Sequence, residues 1–278
     1  MPLVSTADVV ARARARGQGV AAFNVIQLEH AEAFVEAAQL AGTPVVLQIS
    51  ANTVRYHGAL RPLALATLAV AEAAAVPVAV HLDHAESAEL VEQAVALGLR
   101  SVMFDASKLG YAANVAATGR IVRRCHEHGV WVEAELGEIG GKDGVHAPGV
   151  RTDPGEARAF VQATGVDALA VAVGTSHAML TRDAALDFGL IARLRAAVPV
   201  PLVLHGSSGV AAADLARAVR AGMTKINVAT RLNQAFTQAV RLALADDDVV
   251  DPRRYAGPAR EAMAAEARRL CDVLRLAS

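Results

Sequence analysis

The chain is short of cysteine, of aromatic residues, of excess charge and of long apolar runs, and each shortage removes a class of protein. Only two cysteines, Cys125 and Cys271, occur in 278 residues, far apart in sequence. That excludes a disulfide framework and fits a reducing cytoplasm. Aromatics make up 4% of the chain, so helices are expected to pack through small side chains. The formal net charge is −1. No basic field is available to hold nucleic acid, and no charge run suggests a membrane-surface helix. No apolar stretch approaches the roughly 18 residues of a membrane span. The opening residues, MPLVSTADVV, lack the basic head and apolar run of a signal peptide. The expectation is a cytoplasmic protein with no membrane or nucleic-acid partner.

Hydrophobic residues are plentiful at 54%, against 20% charged, which is enough for a large core. Short β-branched runs alternate with alanine-rich helical stretches from end to end. The candidate strands are GVAAFN (19–24), PVVLQIS (44–50), VAVHL (78–82), RSVMF (100–104), VWVEAE (130–135), ALAVAV (168–173), PLVLH (201–205) and MTKINV (223–228). Between them run helix-period segments such as LEHAEAFVEAAQLAG, where Leu28, Ala31, Phe34, Val35 and Ala38 share a face and Gly42 ends the helix. Apolar runs without alternation indicate strands covered on both sides. Eight strand–helix units predict a closed (β/α)8 TIM barrel. An open doubly wound sheet is the alternative, weakened by the lack of a GxGxxG turn after the first strand. No linker or composition shift divides the chain, so residues 1–278 are read as one barrel domain. Two segments depart from the pattern. GGKDGVHAPGVRTDP (140–154) reads as a long loop, and an acidic turn, DDDVVDPRR (246–254), precedes an extra C-terminal helix to about Leu274.

In such a barrel the active site lies at the C-terminal strand ends, and the polar residues collect there. Strand one ends in Asn24 and strand two in Ser50. Strand three ends in His81, Asp83 and His84, strand four in Asp105 and Ser107. Strand five carries Glu133 and Glu135, and His177 follows strand six. Strand seven ends at His205 and Gly206, and strand eight holds Asn227. Three histidines at the ends of strands three, six and seven converge on one mouth and are a candidate metal site of the kind that leaves a position open for catalysis, the alternative being histidines with a structural role. Glu133 and Glu135, two apart, point to the same side of their strand. HGSSG (205–209) offers backbone N–H groups to an anion, and NVAT (227–230) fits the same pocket. His30, His126 and His128 fall in or beside helices and His57 in a loop; all four are expected to be solvated.

These motifs, with AFNV (22–25), SVMFDAS (101–107), VEAELGEIGG (132–141), GTSHAM (174–179), KINVAT (225–230) and DPRRY (251–255), resemble those of the class II, metal-dependent ketose-bisphosphate aldolases. The family includes fructose- and tagatose-1,6-bisphosphate aldolases. The resemblance implies zinc held by His84, His177 and His205, with Asp105 and Glu135 supporting the site and its alternative metal position. It implies Asp83 as the acid at the C4 hydroxyl. Asn24, Ser50 and Asn227 would line the dihydroxyacetone phosphate pocket, and Gly206 and Ser207, with Thr230 close by, the phosphate cradle, where the family also uses a monovalent cation (Na+ or K+). Arg253 would reach a neighbouring subunit's substrate phosphate in a homodimer or homotetramer. Chemistry agrees: cleaving a carbon–carbon bond beside a carbonyl needs an electron sink, either a Lewis-acidic metal or a Schiff-base lysine, for which Lys225 is the only strand-borne candidate.

The sequence departs from the family in three places. The loop after GG reads GGKDG, one residue short, where the family carries a glutamate that moves the C3 proton. Asp143 is the candidate base, with Glu138 and His146 as rivals. Ala178 replaces a glycine after the zinc histidine, and Ala229 stands where some fructose-bisphosphate enzymes carry aspartate. The expected reaction is aldol cleavage of fructose-1,6-bisphosphate. Tagatose-1,6-bisphosphate or a deoxy-keto-sugar-acid phosphate is the alternative substrate, and an impaired aldolase-like partner subunit the alternative role. A metal-dependent barrel hydrolase would usually carry an H-x-H pair on strand one, which AFNV does not offer.

Overall fold

The computed structural model describes residues 2–136, 151–175 and 184–277. Eight parallel strands close into a barrel in sequence order, β1 pairing with both β2 and β8. They are β1 (Val20–Asn24), β2 (Val45–Ser50), β3 (Val78–Ala85), β4 (Ser101–Phe104), β5 (Trp131–Leu136), β6 (Ala168–Val171), β7 (Leu202–Leu204) and β8 (Met223–Val228). Among the described residues the helices are α1 (Thr6–Ala15), α2 (Leu28–Ala41), α3 (Ala51–His57), α4 (Arg61–Ala73), α5 (Ala88–Ala96), α6 (Tyr111–Glu127), α7 (Pro154–Thr164), α8 (Phe188–Ala197), α9 (Ala212–Ala221), α10 (Thr230–Ala243) and α11 (Pro252–Leu274). This is the (β/α)8 barrel with an extra C-terminal helix that the strand count predicts. No helix among the described residues is long and apolar enough to cross a membrane.

The helices begin and end where their chemistry requires. Ser87 caps α5, its Oγ accepting from Leu90 N at 3.2 Å, and Asp153 caps α7 through Gly155 N and Glu156 N at 2.8 and 2.9 Å. Helix α2 stops at Gly42, which takes φ 61°, a left-handed angle that costs glycine little. One face of α2 (Ala31, Phe34, Val35, Ala38) is buried, but Leu28, expected on that face, is 44% exposed.

The barrel interior differs at its two ends. At the N-terminal end, Val9, Val10 and Ala13 of α1 pack on Val20, Ala22, Val46 and Ala79 and close the floor. A bridge between Leu3 and Val78 ties the chain's start to β3. The C-terminal end is lined by charged and polar side chains instead.

Candidate active site

β3 explains how consecutive residues reach one cavity. Its ladder with β4 pairs Leu82 with Val102 and then Ala85 with Phe104, so β3 carries one residue more than β4 between the two pairs. That is a bulge, and His84 sits in it with φ 51°. In a regular strand Asp83 and His84 would point to opposite faces; the bulge turns both toward the mouth.

The cavity there is about 350 Å³ and is lined by residues of β1, β2, β3 and β8 and by the segments that follow these strands and β7. Asn24, Ser50, Asp83, His84, His205, Gly206, Ser207, Asn227 and Thr230 all line it. Asp105 and Glu135 lie just behind: Asp105 Oδ2 accepts from His84 Nδ1 at 2.8 Å, and Glu135 Oε2 is 3.9 Å from His205 Nδ1. Asp105 is itself held by Ser107, whose N and Oγ donate to Oδ1 at 3.1 and 2.6 Å.

Two overlapping sets of residues, Asp83–His84–His205 and His84–Asp105–Glu135, bring their donor atoms within 4.8 Å of one another. Protons on the two imidazoles follow from their partners. His84 gives its Nδ1 proton to Asp105, and His205 gives its Nε2 proton to Glu133 Oε1 at 2.9 Å. The remaining nitrogens, His84 Nε2 and His205 Nδ1, lie 3.0 Å apart. Two neutral imidazoles so arranged would set lone pair against lone pair. A cation bound by both resolves this, since tetrahedral zinc with Zn–N of about 2.0–2.1 Å puts its nitrogens about 3.3 Å apart. The donor set therefore fits a metal ion, each imidazole's outer nitrogen being held by a carboxylate, as metal-bound imidazoles commonly are.

Asp83 is 3% exposed. Burial pushes its carboxyl up, but His84, His205, Lys225 and the Asn24 hydrogen bond together hold it down at about 2. Asn24 Nδ2 donates to Asp83 Oδ2 at 3.0 Å, and Gln48 Nε2 donates to Asn24 Oδ1 at 2.8 Å, which fixes the Asn24 amide. Beneath the site, Lys225 Nζ donates to Asn227 Oδ1 at 2.9 Å and ion-pairs with Glu133 Oε2 at 2.9 Å, the angle there not being that of a hydrogen bond. The HGSSG segment makes a short 3-10 turn, Ser207–Gly209, rather than opening α9 directly as its sequence suggested; Gly206 enters it at φ 66°.

The sequence reading passed over Gln48, Asn52, Thr53, Arg55 and Glu86, which also line the cavity. For Gln48 a signal existed: an amide inside an apolar strand, two residues from Ser50 and so on the same face. Of the expected solvated histidines, His126 and His128 are exposed. His57 is also exposed but is the last residue of α3, not loop. His30 is a correction. It is 4% exposed, packed against Phe34 and Phe236 with Nδ1 accepting from Ile26 N at 3.2 Å, and burial lowers its pKa to about 4. Arg253 is not among the cavity residues and pairs with Asp251, its Nη2 donating to Oδ2 at 2.7 Å. His177, Ala178, Glu138, Asp143 and His146 lie outside the described residues.

An eight-stranded β/α barrel with imidazoles and carboxylates gathered at its C-terminal mouth is the architecture of a barrel enzyme with a candidate metal centre. Residues 4–278 match the family model of fructose-bisphosphate aldolase class-II, and the chain belongs to that family. Among solved structures it is similar to the YdjI aldolase from Escherichia coli K12, at 32% identity and TM-score 0.86 over 98% of this chain and 97% of that one. A provisionally named fructose-1,6-bisphosphate aldolase from Coccidioides immitis matches at 29% identity and TM-score 0.87, covering 97% and 95%. The Campylobacter jejuni fructose-bisphosphate aldolase, at 22% identity and TM-score 0.79 over 98% and 95%, shares the fold. The chain is thus a class II aldolase by family, and the family implies a phosphorylated sugar substrate and a metal.

Proposed function

We propose that this chain is a zinc-dependent lyase that cleaves a phosphorylated ketose to dihydroxyacetone phosphate and an aldehyde, with fructose-1,6-bisphosphate as the first substrate. The observation that carries the reading is the facing pair of imidazole nitrogens, His84 Nε2 and His205 Nδ1, 3.0 Å apart, each ring's other nitrogen bonded to a carboxylate. His84, His205 and His177 hold the zinc, with Asp105 and Glu135 behind them. When bound, the metal supplies the Lewis acidity that carbon–carbon cleavage beside a carbonyl requires.

The chain's own residues do the rest. Asp83, ionised and steadied by Asn24, takes the proton of the C4 hydroxyl oxygen in cleavage and returns it in condensation. Asn227 and Ser50 orient the dihydroxyacetone half. Gly206, Ser207 and Thr230 cradle its phosphate beside a monovalent cation, Na+ or K+. Asp143 moves the proton at C3. Arg253, 91% exposed at its side chain, serves the phosphate in a second copy's cavity, which requires a homodimer or homotetramer. The whole chain, 1–278, works as one domain in the cytoplasm.

The test is release of dihydroxyacetone phosphate from a panel of ketose phosphates with and without EDTA. Chelator-sensitive release from fructose-1,6-bisphosphate is expected. Preference for tagatose-1,6-bisphosphate or a deoxy-keto-sugar-acid phosphate would reassign the substrate and keep the chemistry. Full release from metal-free protein, with borohydride trapping at Lys225, would overturn the zinc mechanism.

A further inference from the structure

The structure assigns Lys225 the part of a positioning residue: from beneath the cavity it orients the Asn227 amide toward the substrate while pairing with the carboxylate that holds His205. The inference rests on the aldolase reading and deepens it.

Lys225 and Glu133 are both 0% exposed. A buried ion pair is a poor way to stabilise a barrel, because taking two charges out of water costs several kcal/mol per ion and apolar residues of the same volume often serve as well or better. Stability alone therefore does not account for the pair. Its contacts do. Asn227 has two ends, and its flip is set by what each end meets. Lys225 Nζ offers only hydrogens, and it lies 2.9 Å from Asn227 Oδ1. The carbonyl oxygen is thereby held down toward the lysine, and Nδ2 is turned up toward the cavity, 3.0 Å from His205 Nε2. That histidine nitrogen is shared between this contact and Glu133 Oε1, so one amide hydrogen is directed at it and the other remains for an acceptor in the cavity. A ketose hydroxyl or phosphate oxygen is such an acceptor.

The adjoining strand repeats the device. Gln48 Nε2 pins Asn24 Oδ1 at 2.8 Å, and Asn24 Nδ2 then donates to Asp83. Asn24 and Asn227 stand on neighbouring strands, β8 pairing Asn227 with Ala22. Two side-chain amides with the same polarity, each fixed by a donor on the oxygen, make the dihydroxyacetone end of the cavity a donor surface. The same contacts remove Lys225 as a Schiff-base nucleophile, since its amine is ion-paired and buried.

The test is a double-mutant cycle on dihydroxyacetone phosphate binding, read by calorimetry on the zinc-loaded protein, with zinc content measured in parallel. Lys225→Met should keep zinc and weaken binding about 10-fold, the effect of losing roughly one hydrogen bond's worth of orientation. Asn227→Ala should weaken it by at least as much, and the double variant no further, because the lysine acts through the amide. Glu133→Gln/Lys225→Met leaves no lone buried charge and covers the case in which Lys225→Met does not fold; it too should weaken binding about 10-fold. Effects of Lys225→Met and Asn227→Ala that multiply would overturn the positioning role, as would unchanged binding in the Glu133→Gln/Lys225→Met protein. Failure of the wild-type protein to bind dihydroxyacetone phosphate would instead overturn the aldolase reading itself, and this inference with it.

Discussion

The two ends of the barrel are built from the same eight strands and obey opposite rules. At the floor, Val20, Ala22, Val46 and Ala79 meet α1 in a dry contact, where each side chain is replaceable by another of similar volume. At and just beneath the mouth, His81, Glu133, Glu135, His205 and Lys225 are equally buried, all at 0% exposure, yet each has a polar neighbour: His81 Nδ1 meets Ser101 Oγ, and the other four meet the groups described above. Burial of that kind makes the fold less stable than an apolar filling would. Stability resides at one end and chemistry at the other, as expected where active sites occupy the C-terminal face of such barrels.

The largest effect should come from His205→Ala. Removing one protein ligand should strip the metal, measured by mass spectrometry of the purified protein, and reduce cleavage by at least about 10³-fold. Retention of metal and activity would end the comparison, since the mouth would then be another part of the core. Asp83→Ala should leave the metal in place and lower kcat by roughly 10²–10⁴-fold, the range for loss of a positioned proton carrier. Unchanged kcat would remove Asp83 from the reaction.

His30 sharpens the contrast, because it lies near the mouth yet belongs to the core. With a folded-state pKa of about 4 against 6.5, it stays neutral in the folded chain while the unfolded chain takes up a proton. Stability from this group is complete above about pH 6.5, falls as pH drops toward 4 and levels off below, by up to roughly 3 kcal/mol. His30→Gln should flatten the denaturation midpoint between pH 6.5 and 4; an unchanged slope would show that other groups set it. The smallest effect belongs to the floor. Val46→Ala should cost about 2 kcal/mol of unfolding free energy by denaturant titration and leave kcat within about twofold. A large loss of activity there would mean that the two ends are coupled.

Much of this is legible in the sequence. All eight strands fall within two residues of their expected bounds at the start, and the mouth residues Asn24, Ser50, Asp83, His84, His205 and Asn227 do share one cavity. β3 is the exception: it runs to Ala85 rather than Leu82, because a bulge breaks the apolar period that marks a strand. His30 was misjudged because a polar residue on an alanine-rich helix looks solvated. Its position four before Phe34, which places the two on one face, was the overlooked sign. The Glu133–Lys225 pair was not readable at all, since it joins β5 to β8 across the barrel and no local pattern records a contact of that separation.

The bulge at His84 also bears on how the barrel finds its register. A non-glycine residue at φ 51° sits at a local disadvantage of roughly 1–2 kcal/mol, and slipping β3 by one residue against β4 would remove it. The slip would also exchange the faces of the side chains beyond it, sending Ala85, now fully buried, off its seat and His84 into the helix layer. The misaligned edge therefore competes only while α5 and the Asp105 N to Ala85 O hydrogen bond, 2.8 Å long, have not formed. Closing β3 onto β4 is the step at which the chain commits to this mouth, and a glycine at residue 84, which tolerates φ 51°, would ease the correct register while giving up the imidazole.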